Sequence, residues 1–159
     1  MARWADIAFV PDEALAADVV AAWQWLIAGR WAPFLCSMMG AIFLEDESGD
    51  IYMLDSATAE IERLANDRGS FDEIMRTDHE RVDDLFLVPL VERLHEAGKC
   101  TEPGRCYGFT ILPIFKEGSY AIENIWVAPA REVLVGNADF HKQMVGVPDG
   151  AKVRIDVVD

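Results

Sequence analysis

The sequence predicts an α+β fold in a single domain. We expect a mostly antiparallel sheet, built from two β-hairpins plus a terminal strand and packed by an N-terminal helix and a central group of short helices. Three observations support this prediction. Two pairs of apolar runs are each interrupted by a polar stretch with glycine, as in β-hairpins. Two hydroxyl-led capping boxes lie between these pairs. An earlier segment repeats its apolar residues at helical spacing.

The chain of 159 residues suits one domain, and we divide it into a helical lead, 1–32, and a main part, 33–159. Asp12 can cap a helix that runs to about Ala28, and Gly29 is a natural stop. One face of this helix is apolar and carries Leu15, Val19, Ala22 and Leu26. Residues 33–40 follow as an apolar link.

The first hairpin is predicted from residues 41–44 and 51–54, which flank a polar loop containing Gly49. Both runs are apolar at successive positions rather than at alternate ones. That pattern indicates strands buried on both faces.

Short helices are predicted in the middle of the chain. Ser56 can cap a first one that runs through Leu64. Residues 70–73 and 77–80 each match the capping box, in which a hydroxyl accepts a backbone N–H and a glutamate reaches back to the cap. Pro89 lacks an N–H and fits the start of a further helix, 89–97, which Gly98 ends.

The last third of the chain is predicted to be rich in strands. Residues 106–114 and 120–127 should pair as a second hairpin across a turn with Gly118. Residues 131–135 fit a strand or a helix equally well, and a short helix follows at 137–145. A terminal strand is predicted from the alternation of Val153, Ile155 and Val157 with charged residues.

The net charge of −14 is unevenly distributed. Up to Gly98 there are 20 acidic against 7 basic residues, a net −13, whereas from Lys99 onward there are 8 against 7, a net −1. A field this negative repels nucleic acid and anionic lipid, and it attracts a basic partner. Solubility alone is the simpler explanation of the same charge.

Other patterns argue against an enzyme and against a membrane protein. No apolar stretch approaches the roughly 20 residues of a membrane span, and the N-terminal segment is a poor signal peptide, so we expect a cytoplasmic protein. Cys36, Cys100 and Cys106 have the spacing of neither a zinc site nor a redox pair and are interpreted as reduced thiols. We find no nucleophile elbow, metal-binding motif or phosphate loop, and therefore predict no catalytic residues, no metal and no cofactor.

Three stretches resemble a known family. The first is Met39-Gly40-Ala41-Ile42-Phe43-Leu44 with Gly49-Asp50-Ile51-Tyr52-Met53-Leu54-Asp55. The second is Gly104-Arg105-Cys106-Tyr107-Gly108-Phe109 with Gly118 and Glu123-Asn124-Ile125. The third is Phe140-His141-Lys142-Gln143 with Val147-Pro148-Asp149-Gly150-Ala151-Lys152-Val153. In this order and spacing the region 33–159 resembles the C-terminal domain of type VI secretion DNase-immunity proteins.

The resemblance implies an antitoxin-like protein that binds a cognate secreted toxin and blocks it. Our leading hypothesis is a non-catalytic acidic immunity protein that covers the basic surface of a toxin, with a nuclease as the candidate toxin class. A nuclease must present positive charge to its substrate, and an acidic inhibitor can occupy that surface. The residues expected to bind this partner are Glu45, Asp46, Glu47, Asp50, Asp78, Glu80, Asp83 and Asp84.

The alternative hypothesis is a small-molecule binding module or a weak enzyme. It would use a pocket near Tyr107, Trp126 and His141, because these aromatic residues and a histidine lie in or beside the resembling stretches. Ordinary core packing explains the same residues equally simply.

Overall fold

The computed structural model describes residues 2–153, which fold around an antiparallel sheet. Its five strands are adjacent in chain order: β1 Ala8–Phe9, β2 Trp31–Ser37, β3 Ala41–Asp46, β4 Ile51–Asp55 and β5 Ile61–Ala65. A separate antiparallel pair consists of β6 Arg105–Phe109 and β7 Ile125–Pro129. The predicted α+β class is therefore confirmed.

The described residues also contain six α-helices: α1 Trp4–Ile7, α2 Glu13–Trp23, α3 Arg68–Thr77, α4 His79–Phe86, α5 Val88–Glu96 and α6 Asn137–Gln143. A 3₁₀ turn at Ile122–Asn124 precedes β7, and a π-helical turn at Glu132–Gly136 leads directly into α6. Residues 131–135, which fit strand or helix in the sequence, are thus helical.

The central sheet is buried on both faces. Ile42 and Leu44 lie in a small core with α2 and α6, whereas Phe43 lies in a large core with α3, α4, α5 and the β6–β7 pair. Side chains alternate between the two faces of a strand, so the buried part of β3, residues 41–44, is apolar at every position. This confirms the burial predicted from the first hairpin, and burial of each such side chain contributes about 1.5–3 kcal/mol.

Helix α2 begins where the sequence predicted. The Asp12 carboxylate accepts a hydrogen bond from the Leu15 backbone N–H at 2.8 Å. The helix ends at Trp23 rather than near Ala28, because the N–H groups of Leu26 and Ile27 both turn back to the Trp23 carbonyl. The buried Trp23 indole donates from Nε1 to the Leu134 carbonyl at 2.8 Å, which fixes α2 against the π-helical turn.

The prediction of an apolar link at residues 33–40 was wrong in its first half, because residues 33–37 lie in β2. Pro33 argued against a strand, since it cannot donate to a ladder. The structure accommodates it beside a register shift between Pro33 and Leu35 in the pairing with β3.

The helix predicted from Ser56 through Leu64 was also wrong, since these residues form a tight turn and β5. The Asp55 carboxylate accepts from the Ala57 N–H at 2.9 Å, and the Asp55 N–H donates to the Glu60 carbonyl at 2.9 Å. Ala59 takes a left-handed conformation with φ of +62°. These contacts reverse the chain so that Ile61 pairs with Leu54.

The two central helices predicted from capping boxes are present, but the cap of α3 lies three residues earlier than predicted and the cap of α4 one residue later. Asp67 caps α3 by accepting from the Ser70 N–H at 2.6 Å, and Asp78 caps α4 by accepting from the Arg81 N–H at 3.0 Å. Carboxylates therefore replace the predicted hydroxyls at the N-caps. Helix α5 carries Pro89 in its first turn, as expected.

The second strand pair is antiparallel as predicted, but each strand is shorter. Strand β6 ends at Phe109 and β7 begins at Ile125, so residues 110–124 form a long connection in place of a tight hairpin. Helix α6 lies within the predicted 137–145. Of the predicted terminal strand, Val153 has no regular structure, and Ile155 and Val157 lie outside the described residues.

Candidate protein-docking surface

Helix α4 carries an outward stripe of three acidic side chains. Glu80, Asp83 and Asp84 are exposed, and their i, i+3, i+4 spacing places them on one face. None of them takes part in an ion pair between described residues. Asp83 and Asp84 lie in the last turn, where the helix dipole already presents partial negative charge. We call Glu80, Asp83 and Asp84 the acidic stripe.

The inner face of α4 fixes the direction of this stripe. Leu85 and Phe86 are buried in the large core, and the Phe86 ring stacks on Phe43 with centroids 5.0 Å apart. At the side of the helix, Arg81 forms an ion pair with Glu62 of β5. Asp78 is engaged as the N-cap. The stripe is therefore held on a rigid element that faces away from the core.

The four acidic residues at the tip of the β3–β4 hairpin have partners within the chain. Asp46 Oδ1 accepts from the backbone N–H groups of Ser48 at 2.9 Å and Asp50 at 3.0 Å, which shapes the turn. The remaining three bind basic residues or their backbone: Glu45 pairs with Arg68 at 3.7 Å, Asp50 with Arg63 at 2.9 Å, and Glu47 accepts from the Arg30 N–H at 3.0 Å.

The structure therefore separates the eight predicted acidic residues into two groups. Strand β5 stands between them: Glu62 pairs with Arg81 of α4, and the next residue, Arg63, pairs with Asp50 of the hairpin tip. Successive side chains of a strand point to opposite sides, so the two groups lie on different sides of β5. Five of the eight have structural partners, and the acidic stripe contains the other three.

The residues of the predicted pocket point in different directions. Tyr107 is fully buried and donates its hydroxyl to the Lys99 carbonyl at 2.6 Å. It pairs across the strands with Val127, so the neighbouring Trp126 points to the opposite side of the β6–β7 pair and is partly exposed. Four surface depressions, each of between about 280 and 310 Å³, are lined by other residues.

His141 acts as a buried connection between α6 and the turn after β4. Its ring Nε2–H donates to the Ser56 carbonyl at 3.0 Å, and the ring lies against Trp23 with centroids 6.1 Å apart. Burial lowers the pKa of His141, although the hydrogen bond to Ser56 opposes this shift. Burial also raises the pKa of the nearby Asp55 carboxyl. These contacts explain the histidine without a ligand.

The cysteines are poorly suited to nucleophilic chemistry. Cys36 and Cys106 are buried, and burial raises the pKa of each thiol to about 12. Cys100 is exposed, and all three are free thiols. Among residues 2–153, no group of three or more His, Cys, Asp or Glu side chains is placed to hold a metal ion. Within the same residues, no helix has the length and apolarity to cross a bilayer.

The sequence prediction missed the 15-residue connection 110–124, which we call the β6–β7 loop. It exposes three large apolar side chains, Ile111, Ile114 and Tyr120. The sequence held one signal of this loop. The predicted strands, 106–114 and 120–127, were longer than the five residues of each strand that pair in the structure. Asn124, which belongs to the second resembling stretch, makes side-chain hydrogen bonds that join distant parts of this loop.

Comparisons with known proteins show similarity to one family model and to solved structures. No curated protein matches the sequence. A solved chain described as the crystal structure of Atu4351 from Agrobacterium tumefaciens matches with a TM-score of 0.57 and 17% identity over 84% of this chain. This chain spans only 66% of the length of that one, and the identity is low enough that the similarity shows the fold alone.

A family model described as T6SS immunity protein Tdi1, C-terminal, matches residues 65–135. These residues contain α3, α4, α5, β6 and β7, and therefore both the acidic stripe and the β6–β7 loop. The matched family is the one that the sequence motifs indicated, the C-terminal domain of type VI secretion immunity proteins, and the match covers 71 of the 159 residues.

Proposed function

We propose that this protein is an immunity protein that binds a toxin delivered by type VI secretion and blocks it without catalysis. The acidic stripe of α4 docks against a basic surface of that toxin, and a nuclease is the toxin class that best fits such a surface. The observation that carries this proposal is the stripe itself, because its charges have no ion-pair partner among residues 2–153 and lie within the family-matched residues.

The cost of the stripe to the folded protein supports a role in binding. Like charges at i, i+3 and i, i+4 each destabilise a helix by about 0.2–0.5 kcal/mol. Asp83 and Asp84 also oppose the helix dipole, and no basic residue occupies the last turn of α4. A feature that lowers stability and makes no internal contact is expected where a partner supplies the opposite charge.

The charge of the surrounding chain supports the same partner. Between positions 60 and 84 there are nine acidic residues and four arginines, a net charge of −5. A nuclease concentrates positive charge where it contacts the phosphate backbone. An acidic inhibitor is steered toward that surface and occludes it, with an association rate that falls as salt screens the charges.

We assign the hairpin-tip residues a weaker role in the same interaction. Glu45, Asp46, Glu47 and Asp50 extend the negative field, but their partners in the chain hold them in place and partly neutralise them. Charged residues at a solvated rim contribute more to the association rate than to affinity. Asp78 is the N-cap of α4, and we assign it the same weaker role in the interaction.

The proposal is tested first in cells. The reading frame adjacent to the gene is expressed alone and together with this chain, and growth is measured. We expect expression alone to arrest growth and co-expression to restore it, with DNA degradation as the marker of a nuclease. Arrest without rescue would contradict an immunity role, and rescue without any DNA damage would contradict the nuclease class.

The stripe is then tested with matched charge variants. We expect D83K/D84K to slow association with the purified neighbouring protein by about tenfold or more at low salt, and to remove most of its salt dependence. The control E96K/E132K makes the same charge change at two exposed residues that lie outside α4 and outside the β6–β7 loop. Equal effects of the two variants would indicate net charge rather than a docking surface.

A further inference from the structure

The β6–β7 loop exposes three large apolar side chains. Their relative exposures are 38% for Ile111, 42% for Ile114 and 41% for Tyr120. The loop carries only three charges, Lys116, Glu117 and Glu123, a net −1 in a chain of −14. Exposed apolar surface surrounded by polar residues is typical of a protein-binding site.

Hydrogen bonds hold this loop in one conformation. The Asn124 side chain accepts from the Ile111 N–H at 3.0 Å and donates to the carbonyls of Ile111 at 2.8 Å and Ser119 at 2.7 Å. The Lys99 ammonium donates to the carbonyls of Ile122 at 2.6 Å and Ile125 at 2.7 Å. One amide thus joins the beginning, middle and end of the loop.

Close packing adds to these hydrogen bonds. A Cβ at Gly118 would lie 2.0 Å from the Leu112 carbonyl oxygen, so the two arms of the loop touch where only glycine fits. The Phe115 ring meets Phe140 of α6 edge-on, with centroids 5.7 Å apart. A rigid loop loses little conformational entropy on binding, so its exposed side chains can contribute most of their burial energy to affinity.

The loop and the acidic stripe belong to the same part of the chain. The Tyr120 ring meets Phe109 of β6 edge-on, with centroids 5.2 Å apart, so the loop packs on the β6–β7 pair. Burial raises the pKa of Tyr120. Both the loop and the acidic stripe of α4 fall within residues 65–135, which the family model matches.

We propose that Ile111, Ile114 and Tyr120 form an apolar anchor that the toxin buries in addition to contacting the acidic stripe. This inference rests on the proposed function and names the part of the surface that holds the complex together. The net charge indicates which kind of molecule binds this surface. A second copy of this chain would carry its own net charge of −14 and would be repelled, and nucleic acid and anionic lipid would be repelled likewise. A basic protein with an exposed apolar patch is complementary to both the acidic stripe and the apolar anchor.

The two parts of the surface have different kinetic roles. Exposed charges steer the encounter and set the association rate. Buried apolar and aromatic anchors at the centre of an interface determine how slowly the complex dissociates. The acidic stripe should therefore act on the association rate, and the anchor on the dissociation rate.

The experiment measures both rate constants on the immobilised protein of the adjacent reading frame. We expect I114S/Y120S to raise the dissociation rate by about tenfold or more while the association rate and its salt dependence change by less than about twofold. The single change I114S should act in the same direction and disturbs the loop less. The matched control is V10S/V145S, which alters two apolar residues that are more exposed and lie outside the loop.

The outcomes separate the two proposals. Absence of binding by the unaltered chain would overturn the immunity function and the anchor together. Binding by the unaltered chain, with dissociation of I114S/Y120S as slow as that of the control, would overturn the anchor alone. Thermal melting at the unaltered temperature confirms that the loop variants are folded. If I114S/Y120S unfolds at a lower temperature than the unaltered chain, the dissociation rate of I114S tests the anchor instead.

Discussion

At the scale of single residues, the structure gives specific tasks to side chains that looked alike in the sequence. Among the acidic residues, Asp12, Asp67 and Asp78 are helix caps, whereas Asp83 and Asp84 have no partner among the described residues. The distinction determines what a substitution should do. Loss of a cap costs about 1 kcal/mol of stability, whereas removal of an unpaired surface charge should leave the fold intact.

His141 provides a prediction of pH dependence. Its pKa is lowered in the folded protein, so protonation favours the unfolded chain. The stability that depends on neutral His141 is fully present above the unfolded pKa of about 6.5 and is lost as pH falls below it. We expect the free energy of unfolding to decrease from pH 7 to pH 5.5, measured by urea denaturation.

The variant H141Q isolates this effect, because its amide can still donate to the Ser56 carbonyl but does not titrate. It should be less stable at pH 7 and nearly independent of pH between 7 and 5.5. Asp55 has the opposite tendency, since its raised pKa favours folding when the carboxyl is protonated. An unchanged slope in H141Q would assign the dependence to other groups.

At the scale of elements, glycine-to-alanine substitutions distinguish a closely packed segment from one with open space around it. The change G118A places a Cβ against the Leu112 carbonyl, and we expect it to destabilise the protein by about 1–3 kcal/mol. The control G136A lies in the π-helical turn with open space around the added Cβ and should be neutral or slightly stabilising. Thermal or urea denaturation of both variants checks this, and equal stabilities would contradict the packing of the loop.

Helix α4 should show opposite effects on stability and on binding. Removing the two charges that oppose its dipole, as in D83N/D84N, is expected to stabilise the protein by about 0.5 kcal/mol. The same change should slow binding of the toxin. A parallel loss of stability and binding would indicate that these residues support the helix rather than the partner.

At the scale of the whole molecule, the net charge of −14 acts on both folding and association. Repulsion among these charges destabilises the compact state, and salt screens it beyond a Debye length of about 8 Å at 0.15 M. We therefore expect the Tm of the free protein to rise as sodium chloride is added, measured by differential scanning calorimetry. The association rate with the toxin should fall over the same range, and a falling Tm would contradict this account.

The sequence by itself determined the features that depend on nearby residues. The start of α2 follows from the Asp12 carboxylate and its neighbouring N–H groups, and the β3–β4 hairpin follows from two apolar runs across a polar turn. The family motifs and the acidity were also readable from the sequence, and the family model bears out the first of these. The helix start and the hairpin depend on interactions between residues a few positions apart, and the motifs and the acidity are properties of the sequence itself.

Only the tertiary structure decided the features that depend on distant partners. Ile61 and Leu64 have a helical spacing of three, yet they lie in a strand because β4 offers its edge for pairing. The eight acidic residues looked equivalent until Arg63 and Arg68 were placed beside Asp50 and Glu45. The physical reason is that local patterns fix backbone preference, whereas pairing, burial and charge neutralisation depend on which residues meet after the chain folds.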